Sequence, residues 1–134
     1  MDELVRWLGE QLDADAARAQ AAPPGPWVLA DNGSIVAADG SRVVSSVGGA
    51  LEGQVSRWPE GPTVDHVLGQ DPARVLAEID AKRRILAIHR RYVPESGQAC
   101  LGCSGGIEWE ACPVVRLLAL PYASRPGFRE SWRP

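Results

Sequence analysis

The feature that most constrains this chain is the stretch from His89 to Leu120, because it contains every cysteine of the protein. Cys100 and Cys103 stand in the C-x2-C spacing that lets two thiolates of one tight turn grip the same ion. Cys112 follows after eight intervening residues and His89 precedes Cys100 with ten between, so four candidate ligands fall within 24 residues. Three thiolates and an imidazole are soft to borderline donors, which select zinc over magnesium or calcium. The pattern therefore predicts a closed, tetrahedral Cys3His zinc site made of His89, Cys100, Cys103 and Cys112, with a structural ion.

Composition sets the frame for that site. A chain of 134 residues is expected to form one domain and to bury about two thirds of its unfolded surface. A formal charge of −3 and a pI near 5.4 disfavour non-specific nucleic-acid binding, which rests on an excess of basic side chains. Lys82 is the sole lysine among 14 Lys and Arg, a bias that fits a GC-rich coding genome and says nothing of chemistry. The first residues lack the basic start and apolar centre of a signal peptide, and no apolar run approaches ~18 residues. The expectation is a soluble cytoplasmic protein with no membrane segment. A reducing compartment and an odd cysteine count then argue against disulfides.

Residues 2–21 read as a first helix, the core of an N-terminal segment 1–22. Leu4, Leu8 and Leu12, with Val5 and Ala16, make an i, i+4 stripe, and Asp2 and Glu3 suit the helix dipole. Pro23-Pro24-Gly25-Pro26 ends it, and Trp27 is expected to anchor the next segment in the core. Over 27–62 the pattern becomes a small antiparallel β-meander (27–31, 34–38, 42–47) followed by a loop from Gly48. Asn32-Gly33 and Asp39-Gly40 signal type I′ turns, and Trp58 is the loop's large apolar residue. Over 63–92 two helices are expected: a short one over 64–69, capped by Thr63 and carrying His66, and a long one from Asp71-Pro72 to about Arg91. Asp at the cap followed by proline at the first helical position is a clear helix start. Val75, Ile79, Leu86 and His89 share one face of the long helix, so His89 projects toward the core from its last turn.

Residues 93–120 read as a zinc knuckle and a final helix. Ser96-Gly97, Gly102 and Gly105-Gly106 punctuate the knuckle, where glycines let backbone N–H groups turn toward the sulfurs. Cys112 sits at the N-cap of a helix over 113–120, whose N-terminal field favours a thiolate. The tail 121–134 reads as irregular, with Tyr122, Phe128 and Trp132 available for packing. The fold class that results is α+β: a small antiparallel meander packed with three to four helices and a C-terminal zinc knuckle.

Other chemistries fit less well. A redox pair at Cys100 and Cys103 lacks the βαβ surroundings of a thioredoxin-like motif. A deaminase site needs a His or Cys followed by x-Glu and a proline before the C-x2-C, and neither is present. A Cys112–His89 nucleophile pair lacks a third, orienting residue. No Gly-rich stretch matches a phosphate or dinucleotide loop. His66 is the alternative fourth ligand, although it reads as a capping or surface histidine. Lys82-Arg83-Arg84 reads as a solvated helix face, and Trp58 and Trp132 are the aromatics most suited to meeting a partner.

Nearly end to end, the chain resembles an uncharacterised family of small proteins from actinobacteria and their phages, a domain of unknown function. The matching pieces are Leu4-Val5-Arg6-Trp7-Leu8, Pro24-Gly25-Pro26-Trp27, Val36 to Gly40, Asp71 to Leu86, Cys112 to Tyr122, and Pro126 to Pro134. The resemblance supplies no activity. It implies that His89, Cys100, Cys103 and Cys112 belong together, and that relatives often carry a second histidine where this chain has Gln70. The functional expectation is a non-enzymatic, zinc-stabilised binding or regulatory module related to phages or mobile elements, with a protein partner favoured over nucleic acid by the acidic balance. The alternative is a thiol-based redox protein or enzyme that uses Cys100, Cys103 and Cys112 directly.

Overall fold

A computed structural model describes residues 1–44, 61–95, 97–103 and 106–134. The expected third strand beyond Val44, the loop through position 60 with Trp58, and Ser96 and Gly105 of the knuckle lie outside the described residues. Among those described, four helices and one three-stranded antiparallel sheet make an α+β protein: α1 (Asp2–Ala21), β1 (Val28–Leu29), β2 (Ile35–Val36), β3 (Arg42–Val44), α2 (Gly61–Leu68), α3 (Pro72–Ile88) and α4 (Pro113–Ala119). The chain divides into two compact units, one of residues 1–14 and 79–134 and one of residues 15–78. Both α1 and α3 contribute to each.

In the first unit the predicted stripe of α1 is the core: Leu4, Leu8 and Leu12 are at most 1% exposed. Ile79 of α3 and Val115 and Ala119 of α4 are buried with them. The tail is better ordered than its composition suggests. It makes single 3-10 turns at Leu120–Tyr122 and Glu130–Trp132. Trp7, Phe128 and Trp132 form a three-ring cluster with centroids 5.4–5.8 Å apart. The Trp7 indole N–H donates to the Pro126 carbonyl at 3.1 Å. Gly127, at φ +86°, is required there, since a Cβ would come within 2.9 Å of the same indole nitrogen. Trp132 is thus committed to internal packing. The Lys82-Arg83-Arg84 run is engaged too. The Lys82 ammonium lies over the Tyr122 ring at 5.4 Å, Arg83 pairs with Asp13 at 2.5 Å and Arg84 with Asp80 at 2.7 Å.

In the second unit the meander has order β1-β2-β3, with Val28 opposite Val36 and Ile35 opposite Val44. β1 and β2 are two residues long, shorter than expected, because the turns consume their ends. The two turns are built alike. Ala30 N–H donates to Ser34 O and Gly33 N–H to Ala30 O, and Ala37, Ser41 and Gly40 repeat the pattern, all at 2.8–2.9 Å. Only the glycines have positive φ (Gly33 +77°, Gly40 +81°), so these are three-residue loops ending in a left-handed glycine, not the expected type I′ turns. The side chains explain the choice: Asn32 Oδ1 accepts from Ser34 N–H at 3.0 Å and Asp39 Oδ1 from Ser41 N–H at 2.8 Å. The Ser41 hydroxyl, and then its backbone N–H, hold the Asp39 carboxyl below its ordinary value.

Helix α2 begins at Gly61, two residues before the expected Thr63 cap, because Pro62 is accommodated in a first helical turn. Val64 is its buried residue and His66 is exposed. The Asp71 cap is as expected, its Oδ1 accepting from Arg74 N–H at 3.0 Å. The proline-rich turn packs on this helix start, with a cis Gly25–Pro26 bond and a Gly25 whose Cβ would lie 2.5 Å from Asp71 Oδ1. Trp27 is half-buried and donates to Pro23 O at 2.9 Å, so it braces the turn more than it anchors a core. Helix α3 stops at Ile88, short of Arg91, because Arg91 leaves to form a β-bridge with Cys100.

Candidate metal centre

His89 stands one residue past α3, its N–H still bonded to Ile85 O at 3.0 Å, so the helix axis sets the ring's position. The chain then returns in short antiparallel pieces bridged at Arg91–Cys100 and Ala99–Glu108. Cys100 N–H donates to Ile107 O at 2.8 Å and Leu101 N–H to Arg90 O at 2.9 Å. Cys103 N–H closes the tight turn on Cys100 O at 3.2 Å. A 3-10 turn over Trp109–Ala111 delivers Cys112 to the N-cap of α4. Its thiol makes no capping bond to the helix, so the expected help from the helix N-terminus is positional only, and the sulfur faces the other three ligands.

The structure brings all four predicted residues together. Their ligand atoms lie within 4.8 Å of one another and could hold a metal ion. His89 Nδ1 is 3.5 Å from Cys100 Sγ, 3.5 Å from Cys103 Sγ and 3.6 Å from Cys112 Sγ. Cys112 Sγ is 3.7 Å from Cys100 Sγ and 3.6 Å from Cys103 Sγ. All three cysteines are free thiols. Burial, then hydrogen bonding by Cys112 and Cys100, then the charge of both, push the Cys103 thiol up to about 12. The Cys103 thiol therefore resists ionising beside the other two sulfurs unless a cation lies among them. His66, exposed on α2, is not a member of the group. The Cys112–His89 distance singles out no nucleophile pair, since His89 is as close to the other two sulfurs.

Two features escape sequence reasoning. Gly102 is needed for space more than for backbone twist: a Cβ there would meet His89 Cγ and Nδ1 at 2.7 Å, so the imidazole lies directly on the C-x2-C turn. Around the centre, Asp2 accepts from Trp109 Nε1 at 3.0 Å through Oδ1 and from Arg91 at 2.8 Å through Oδ2. Arg91 also pairs with Glu110 at 3.1 Å and donates to Pro94 O at 2.7 Å. Asp2 and Arg91 are 89 positions apart, and nothing in the local pattern of either announces the other.

Fold and centre together define a small α+β protein with a three-cysteine, one-histidine group able to hold a metal ion. The chain belongs to the DUF6221 family, a family of unknown function, which matches residues 1–134. No curated protein and no solved structure matches it. Among the described residues no helix is long and apolar enough to cross a membrane.

Proposed function

We propose that His89, Cys100, Cys103 and Cys112 hold a structural zinc ion and that the protein is a non-enzymatic binding module whose knuckle the ion makes rigid. One observation carries the reading. With Zn–S near 2.3 Å and Zn–N near 2.0–2.1 Å, a tetrahedral site has S–S edges of about 3.8 Å and S–N edges of about 3.6 Å. The S–S separations of 3.6–3.7 Å and S–N separations of 3.5–3.6 Å agree with those edges on five of the six sides. Bound zinc would act as a cross-link, since four protein ligands leave no position open for substrate. The chain's own contribution is the scaffold: α3 aims His89, Gly102 admits its ring, and the Asp2–Arg91–Glu110 network holds the returning strands.

A protein partner suits the surroundings. Tyr92 is 69%, Ile88 60% and Leu101 44% exposed beside the ligands, and exposed aromatic and aliphatic groups on a rigid frame are what protein interfaces use. The net charge of −3 disfavours nucleic acid. The arginine-rich, lysine-poor composition fits an actinobacterial or phage source, and a cytoplasmic setting would keep the thiols reduced. The test is metal analysis with thiol titration of native protein before and after a strong chelator. The expected result is one zinc per chain and thiols protected until chelation. A metal-free protein with three reactive thiols would overturn the reading in favour of direct thiol chemistry.

A further inference from the structure

The ligands are unequally shielded: Cys100 is 2% and Cys112 0% exposed, whereas Cys103 keeps part of its surface in solvent. The Cys103 and Cys112 sulfurs are 3.6 Å apart. Resting on the zinc reading, we propose that Cys103 is an oxidative modification site. A hydroperoxide oxidises the loaded centre there, and Cys112 resolves the product into a Cys103–Cys112 disulfide that expels the ion.

Each metal-bound sulfur is a thiolate, so access decides which one reacts. Cys103 Sγ attacks one peroxide oxygen. An S–O bond forms, the O–O bond breaks, and the departing alkoxide (hydroxide, when the oxidant is hydrogen peroxide) takes a proton from water to become an alcohol or water, leaving a sulfenic acid on Cys103. The Cys112 thiolate then attacks that sulfur. The S–S bond forms, the S–O bond breaks, and the departing hydroxide is protonated to water. Two electrons have passed from two thiolates to the peroxide. The sulfurs must close from 3.6 Å to about 2.05 Å. Cys112 is suited to that movement because its thiol carries no hydrogen bond to the α4 N-terminus, whereas Cys100 and Cys103 are already joined through the backbone of their own tight turn at 3.2 Å. Only His89 and Cys100 then remain to the ion, too few for a closed site. A small dithiol reverses the step by returning the two electrons.

The experiment starts from full-length protein shown by metal analysis to carry zinc. Hydrogen peroxide is added while a chromophoric chelator follows the ion, and cysteines are mapped by peptide mass analysis. The expected result is stoichiometric zinc release with a Cys103–Cys112 bond and a free Cys100, and reuptake of zinc after dithiol treatment. Cys103→His, which preserves four ligands, should release zinc at least about tenfold more slowly. Early oxidation that leaves Cys103 a free thiol overturns the proposal, as does wild-type release kinetics in Cys103→His. Where that variant takes up no zinc, the map of the unaltered protein decides. A starting protein without zinc overturns the metal reading itself before any peroxide is added, so the two failures are distinguishable.

Discussion

The meander and the knuckle are both runs of short extended chain, yet they are held in different ways. In the meander, each turn contains its own fastening: a glycine at positive φ and an Asn or Asp side chain bonded to the backbone two residues on. In the knuckle, among the described residues, the backbone pieces meet through isolated bridges, and the groups that converge are four side chains from the end of α3, a tight turn and the cap of α4. The first arrangement is local and self-sufficient. The second needs something at its centre, because the Cys103 thiol resists ionising beside two other sulfurs.

The largest test of that contrast is removal of the ion. Binding should contribute on the order of 10 kcal/mol, so chelation or Cys112→Ser should abolish hydrogen-exchange protection of Cys100, Leu101 and Cys103 while leaving Gly33 and Gly40 protected. Equal loss in both regions would erase the distinction. Next in size is Gly102→Ala, whose Cβ would strike the His89 ring. It should weaken zinc binding by about 10–100-fold in a competition titration, with no change in the meander. Gly33→Ala is the counterpart, costing about 1–2 kcal/mol at φ +77° in thermal unfolding with zinc affinity intact. His66→Ala is the smallest, within about 0.5 kcal/mol and with metal content unchanged.

The two states of the knuckle should also respond oppositely to pH. In whatever fraction of chelated protein keeps its knuckle folded, burial and the neighbouring sulfurs push the Cys103 thiol up to about 12 from an ordinary 9.0. A raised folded value favours the folded state below the ordinary one, and the contribution is lost as pH climbs from 9 to 12. With zinc the ligands must give up protons, so affinity should rise with pH through the acid and neutral range. Zinc titrations at pH 6 and pH 8 and alkaline melts of chelated protein check the two slopes.

Much of this was legible in the residues because it is written locally. The leucine stripe of α1, the Asp71-Pro72 cap and the spacing of His89, Cys100, Cys103 and Cys112 each state a physical requirement within a few turns of chain. The meander's existence was legible for the same reason, while its turn type was not: Asn32-Gly33 suits two loop geometries, and the Ser34 N–H bond decides between them. The shortness of β1 and β2 follows from turn lengths that no propensity states. The Asp2–Arg91 and Trp7–Phe128 contacts join distant parts of the chain, and the ring nitrogen offered by His89 depends on the packing against Gly102, so none of these has a local signal.

The Trp7–Pro126 hydrogen bond spans 119 residues, and this has a consequence for biosynthesis. The helix carrying Trp7 is translated well before its aromatic partners at Phe128 and Trp132. At about 5–20 residues per second, the ring and the leucines beside it wait for roughly 6–24 s before those partners exist. During that interval the apolar face is a nascent-chain surface, open to chaperones and to other copies, and slower translation of the intervening chain would prolong that exposure.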